Sequence, residues 1–292
     1  MSSSGFHVID VHHHVGGVPS AMGQVSAAGV AGLELDLGPF HDPNEVGVRL
    51  AVMDANGIDQ AVVIPTHEYL RPDGEANTRQ VNDAIAGYRD RNRDRFPAAV
   101  GIAEPLHGRR AFDELQRARD ELGLIGISFH TRFQGVSTDS YLVRGLVERM
   151  ADLGLVPFMH AYAGSPDEAP WMVTEVAKTL PEVPMIVLDG FSGLERSAKE
   201  ISIAAATVPN LVFDTSLAYS FEIVERFVAN FGAERVLFGT DMYSPPLAYR
   251  KSTVLEQLLD SGLDDDQKAM ILSGNFQRLV SLGSLGSLGS TT

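Results

Sequence analysis

The chain has 292 residues, 44% of them hydrophobic, which is enough to bury a large core as two average domains or one large α/β barrel. A formal charge of −15 argues against nucleic acid or an anionic membrane as the main partner, and the absence of cysteine excludes disulfides and thiolate ligands. Any metal must therefore be held by His, Asp or Glu.

The opening MSSSGFHVID has no basic segment leading into an apolar one, and no stretch approaches the roughly 20 apolar residues of a membrane span. A cytoplasmic protein without membrane contact is expected, acting on a small molecule, with a homo-oligomer left open. The first strand is predicted over 6–14, FHVIDVHHH. Further strands are predicted at 61–65, 98–103, 124–130, 155–160, 184–190, 211–216 and 235–241, with helical periodicity over 44–56, 77–95, 109–122, 141–153 and 221–231. Asp139 and Ser140 cap one of these helices, Gly154 follows its end, and Pro170 sits at another helix start.

Eight strands, each followed by a helix, describe a (β/α)8 TIM barrel. A doubly wound sheet fits less well, because no glycine-rich dinucleotide turn is present. One domain is expected over 1–280, with a Gly/Ala-rich excursion at 15–43 over the mouth. SLGSLGSLGSTT, 281–292, reads as a flexible tail.

Side chains alternate along a strand, so Asp10, His12 and His14 are expected on one side and His13 on the other. His13 is then predicted not to touch an ion. A tag is a poor reading of this triplet, since tags have longer histidine runs in polar flanks. Strand five ends in His160 and strand eight in Asp241, both at the rim where a barrel collects its chemistry. His12, His14, His160 and Asp241 together make a mononuclear site with room for water, although His160 alone would read as a structural histidine and Asp241 alone as a cap.

DVHHH, GISFHTRFQG, PFMH, RVLFGTD and ILSGNFQRL resemble the amidohydrolase-2 branch of the amidohydrolase superfamily, over about residues 6–280. That branch includes aminocarboxymuconate-semialdehyde decarboxylase, related aromatic-acid decarboxylases and lactone hydrolases. The resemblance implies a distorted barrel with one divalent ion, zinc first and manganese as the alternative, on the same four residues. It also implies a histidine at the end of strand six, where VLDGFSG has Gly190. Asp189 is adjacent, but alternation turns it away unless the strand is bulged. Ser128 stands where binuclear relatives place a bridging lysine, which favours one metal.

His130, ending strand four, is a candidate for the vacant catalytic role or a hydrogen-bonded structural histidine. Asp241 can itself shuttle the proton. Arg132, His67 and Arg71 lie on mouth-side loops and suit a substrate carboxylate, with a surface ion pair the plainer reading of Arg71. Tyr162 and Tyr243 either bond a polar group or pack. Asp10 is expected to support a ligand imidazole or to accept a backbone bond, and Asp214 to do the former or cap the next segment. Many decarboxylases of the branch the chain resembles open with glutamate, so the resemblance, with an aspartate-first opening and a short chain, implies a hydrolase in which metal-activated water attacks a lactone, ester or amide. The alternatives are a non-oxidative decarboxylase of an aromatic or enoic acid, and a barrel that binds without catalysis.

Overall fold

Runs such as AVVIP and MIVL become strands because β-branched residues pack well on a pleated surface, and burial on both faces suits parallel pairing. The computed structural model describes residues 5–17, 37–66, 74–192, 195–244 and 253–286. Strands β1 (Ile9–Val15), β2 (Gln60–Pro65), β3 (Ala98–Ile102), β4 (Gly126–Phe129), β5 (Val156–His160), β6 (Met185–Leu188), β7 (Leu211–Asp214) and β8 (Val236–Leu237) run parallel in sequential order. Bonds from Val11 N to Phe238 O (3.0 Å) and His14 N to Met242 O (2.6 Å) bring β1 against the β8 segment. The fold is the expected (β/α)8 TIM barrel.

Helices at Pro43–Ala55, Glu75–Arg91, Arg109–Asp120, Tyr141–Leu153, Pro170–Thr179, Glu195–Thr207 and Phe221–Phe231 follow the first seven strands. Ser140 caps the fourth by accepting from Val143 N, and Gly154 ends it at φ 68°. The last helix, Asn275–Gly286, runs six residues into the segment expected to be a flexible tail. Once nucleated on a packed surface, a helix extends at one hydrogen bond per residue, whatever the local repeat suggests. Residues 287–292 lie outside the described ones, as do 18–36 of the excursion after β1. Among the described residues, no helix is long and apolar enough to cross a membrane.

Two apolar layers position the site. Inside the barrel are Ile9, Val11, Val62, Ile64, Val100, Phe158, Ile186, Leu188, Val212 and Leu237, joined by Phe276 and Leu279 of the last helix. Outside, Ala61, Val63, Ile127, Met159, Val187 and Phe213 face the helices. This leaves the C-terminal strand ends for polar groups.

Alternation fails at one place in β1. Asp10 pairs with Ala61 and His13 with Val63, so three steps on β1 match two on β2. The extra residue changes the parity of the strand. Asp10 and His13 thereby share the outer face with Ala61 and Val63, while His14, opposite Ile64, faces inward.

Candidate metal centre

Three buried imidazoles meet at the mouth. His12 Nε2 is 2.9 Å from His14 Nε2, which is 3.4 Å from His160 Nε2. Each ring is held through its other nitrogen. His12 Nδ1 donates to Asp214 Oδ2 at 2.7 Å, His14 Nδ1 to the Pro65 carbonyl at 3.0 Å, and His160 Nδ1 to the Phe129 carbonyl at 3.0 Å. The tautomers follow from these acceptors. Three lone-pair-bearing nitrogens are then aimed at one point, an arrangement that only a cation stabilises. The donor set fits a divalent ion, with imidazole nitrogens oriented by outer acceptors.

Asp241 Oδ1 lies 3.5 Å from both His12 Nε2 and His14 Nε2. Its backbone is left-handed, φ 56°, a conformation that L-residues with side chains avoid and that recurs at functional sites. The glycine of GTD has a plain steric reason. A Cβ on Gly239 would sit 2.7 Å from Asp214 Oδ2, so only glycine lets the β8 end approach the carboxylate that holds His12.

Charge gathers around His12. Burial alone would lower its pKa, but Asp214, by charge and hydrogen bond, with Asp241 and Asp189, pushes it up to about 10.

His130 follows β4, and its ring stacks on His160 with centroids 4.3 Å apart and planes 5° from parallel. Its Nδ1 donates to Glu168 Oε2 at 2.7 Å. Arg132 Nε reaches Glu168 Oε1 at 3.0 Å while its guanidinium lies over Phe133. Burial, then Arg132 and His12, hold the His130 pKa well below its ordinary value, and burial raises that of Glu168 to about 7. Tyr243 stacks on His14 at 4.7 Å, whereas Tyr162 is half exposed at the rim, 5.9 Å from Arg132. His67 and Arg71 lie outside the described residues.

Of the two readings of Asp10, the structure shows the backbone bond and not the support of a ligand imidazole. Asp10 Oδ2 accepts from His13 Nε2 at 2.7 Å, and its Oδ1 from the backbone of His12 and Thr240, both at 3.0 Å. The β1 bulge is the cause. Asp214, by contrast, does hold His12. Gly190 faces away from the mouth: its Cβ would meet Ile201 and Phe213 at 3.3 Å. Asp189, φ 62°, turns inward instead, with a carboxylate oxygen within 4.8 Å of ligand atoms of His12 and Asp241. Glu168 had no signal in the sequence, because SPDEAP reads as an ordinary polar loop.

A family model described as amidohydrolase matches residues 9–282. The chain belongs to the amidohydrolase family, in the amidohydrolase-2 branch it resembles. No curated protein matches it. This amidohydrolase is similar to the solved 2,6-dihydroxybenzoate decarboxylase from Rhizobium, with 16% identity, TM-score 0.70, and coverage of 95% of this chain and 99% of that one. A 5-carboxyvanillate decarboxylase from Sphingomonas paucimobilis matches at 16% identity and TM-score 0.70, covering 94% and 99%. Another, from Novosphingobium aromaticivorans and complexed with manganese and 4-hydroxy-3-methoxy-5-nitrobenzoic acid, matches at 15% and 0.73, covering 96% and 97%.

The expectation of hydrolysis is corrected by these comparisons, since the named activities are decarboxylations. An aspartate-first opening and chain length do not touch the reacting atoms, so they could not separate the two chemistries.

Proposed function

We propose that this enzyme is a metal-dependent non-oxidative decarboxylase of a small aromatic acid. The observation behind the reading is the pairing of three converging imidazoles with a carboxylate, Asp241, 3.5 Å from two of them. The structural likeness to decarboxylases of hydroxylated benzoates supports it.

His12, His14, His160 and Asp241 would hold the ion, which when bound supplies a Lewis acid for the carboxylate and a neighbouring hydroxyl of the substrate. Asp241 then has the proton-transfer role. Protonated, it gives its proton to the ring carbon bearing the carboxylate. The electron pair of the carbon–carboxyl bond then returns to the ring, and carbon dioxide leaves. Asp214 keeps the His12 ring in its tautomer throughout. His130, locked by Glu168, offers its ring edge to the substrate beside His160. Arg132 and Tyr162 line the rim and Tyr243 the wall next to His14, where an anionic, planar molecule would be recognised.

The test is direct. Protein reconstituted with Mn2+ or Zn2+ should release carbon dioxide from at least one of a panel of ortho-hydroxybenzoates, and Asp241→Asn should abolish the release. Folded, metal-loaded protein that leaves the whole panel intact would count against the reading.

A further inference from the structure

A strained turn brings Asp189 beside His12 and Asp241. Leu188 belongs to the barrel interior, so simple alternation would send the next residue outward. The left-handed backbone at Asp189 reverses this and brings a carboxylate oxygen within 4.8 Å of the ligand atoms of His12 and Asp241.

Its position is held from behind. Asp189 N donates to Asp214 Oδ1 at 3.0 Å and to Ser216 Oγ at 3.1 Å. Ser216 Oγ lies 3.0 Å from Asp189 Oδ1 and 2.7 Å from Asp214 Oδ1. A hydroxyl has one proton, so it donates to only one of these carboxylates at a time. Among the described residues, no lysine or arginine pairs with Asp189 or Asp214, and Asp214 Oδ2 accepts from His12 Nδ1 at 2.7 Å. A buried carboxylate without such a partner stays ionised only beside a cation. The three imidazole nitrogens, aimed at one point, mark independently where a cation sits.

We propose that Asp189 is a ligand of the ion, giving a centre of three nitrogens and two carboxylates. Zinc is satisfied by four ligands, whereas manganese favours six and takes carboxylate and water oxygens readily. Asp189 therefore supports manganese more than zinc. The inference rests on the centre holding a metal, and not on decarboxylation.

The experiment is calorimetric titration of Mn2+ and Zn2+ into metal-stripped full-length protein, wild type and Asp189→Asn, with manganese spin resonance on the loaded forms. Asparagine keeps the backbone donor and the acceptor for Ser216, so the metal-free melting temperature should stay close to wild type. The expected result is a loss of at least tenfold in Mn2+ affinity, a smaller loss for Zn2+, and a changed manganese spectrum. Equal losses for both ions would mean that Asp189 acts through its charge alone, which overturns the proposal, as would wild-type Mn2+ affinity. Wild-type protein that binds neither ion would overturn it together with the metal reading. Turnover is not measured here, so a failure of the decarboxylase reading is recognised separately, by the carbon dioxide assay. If Asp189→Asn fails to fold, Ser216→Ala keeps the carboxylate but frees its orientation. It should then weaken Mn2+ more than Zn2+, and unchanged Mn2+ affinity would count against the proposal.

Discussion

His12 Nδ1 and Asp214 Oδ2 lie 2.7 Å apart, both fully buried, across 202 residues of sequence. The pair joins the first strand of the barrel to the seventh and decides which nitrogen of His12 faces the ion. Asp214→Asn should therefore lower metal affinity about 10–100-fold without unfolding the chain, because an amide can present its NH2 to Nδ1 and stabilise the wrong tautomer. Metal titration of the folded variant checks this, and unchanged affinity would refute the role.

The two glycines near the mouth should behave oppositely. Gly239→Ala drives a methyl to within 2.7 Å of Asp214 Oδ2, so it should disturb the His12 support and weaken metal binding. Gly190→Ala meets Ile201 and Phe213 at 3.3 Å on the helix side. It should cost about 1–3 kcal/mol of stability and leave metal affinity unchanged. Titration of both variants, beside their melting curves, separates the positions; weakened binding in Gly190→Ala would contradict the assigned orientation.

Behind β1, Arg49 is buried with Glu45. It bonds Glu45 Oε1 at 2.6 Å, the His14 carbonyl at 2.6 Å and His13 Nδ1 at 3.3 Å, while Tyr88 donates to Glu45 Oε2 at 2.5 Å. Arg49→Met leaves Glu45 charged and unpaired, which should cost about 3–5 kcal/mol. The double variant Arg49→Met/Glu45→Leu should recover part of the loss. Denaturant unfolding measures both, and a single variant as stable as wild type would show the pair to be dispensable.

His13→Ala should keep the metal, since His13 bonds Asp10 and Arg49 on the outer face. Its cost should appear in stability, by leaving buried Asp10 with one fewer donor, at about 1–3 kcal/mol. Metal analysis of the purified variant reads the first part, and loss of the ion would contradict the bulged register of β1.

Glu168 ties stability to pH. Burial raises its pKa from 4.5 to about 7, against the opposing charge of Arg132, with His130 and Asp167 as its other polar neighbours. Between these two values the folded state binds more protons than the unfolded one. Stability from this group is thus fully present below pH 4.5 and is lost as pH rises through about 7. The loss amounts to at most about 3 kcal/mol. Glu168→Gln should flatten the pH dependence of unfolding over that interval, and an unchanged slope would remove Glu168 as its source.

The barrel was legible because eight buried apolar runs alternate with helical periodicity, and both signals are local. His12, His14, His160 and Asp241 were legible for a related reason: a residue at the end of a parallel strand has its end of the barrel decided by the fold class. The face of Asp10 was misread because the β1 bulge shifts parity by one residue, and nothing in VIDVHHHVGG marks it. Glu168 and the inward turn of Asp189 were invisible, since one depends on a loop folding back over β4 and the other on a single left-handed dihedral.

By itself, the sequence determined the barrel and the two histidines of HxH that share a face, because these follow from periodicity and strand ends, and its motifs resembled the family. Only the tertiary structure decided which carboxylates other than Asp241 stand beside the histidines. Asp214 under His12 and Asp189 beside Asp241 depend on approaches between distant strands, and Asp10 under His13 on a bulge in β1, none of which hydrophobic patterning encodes.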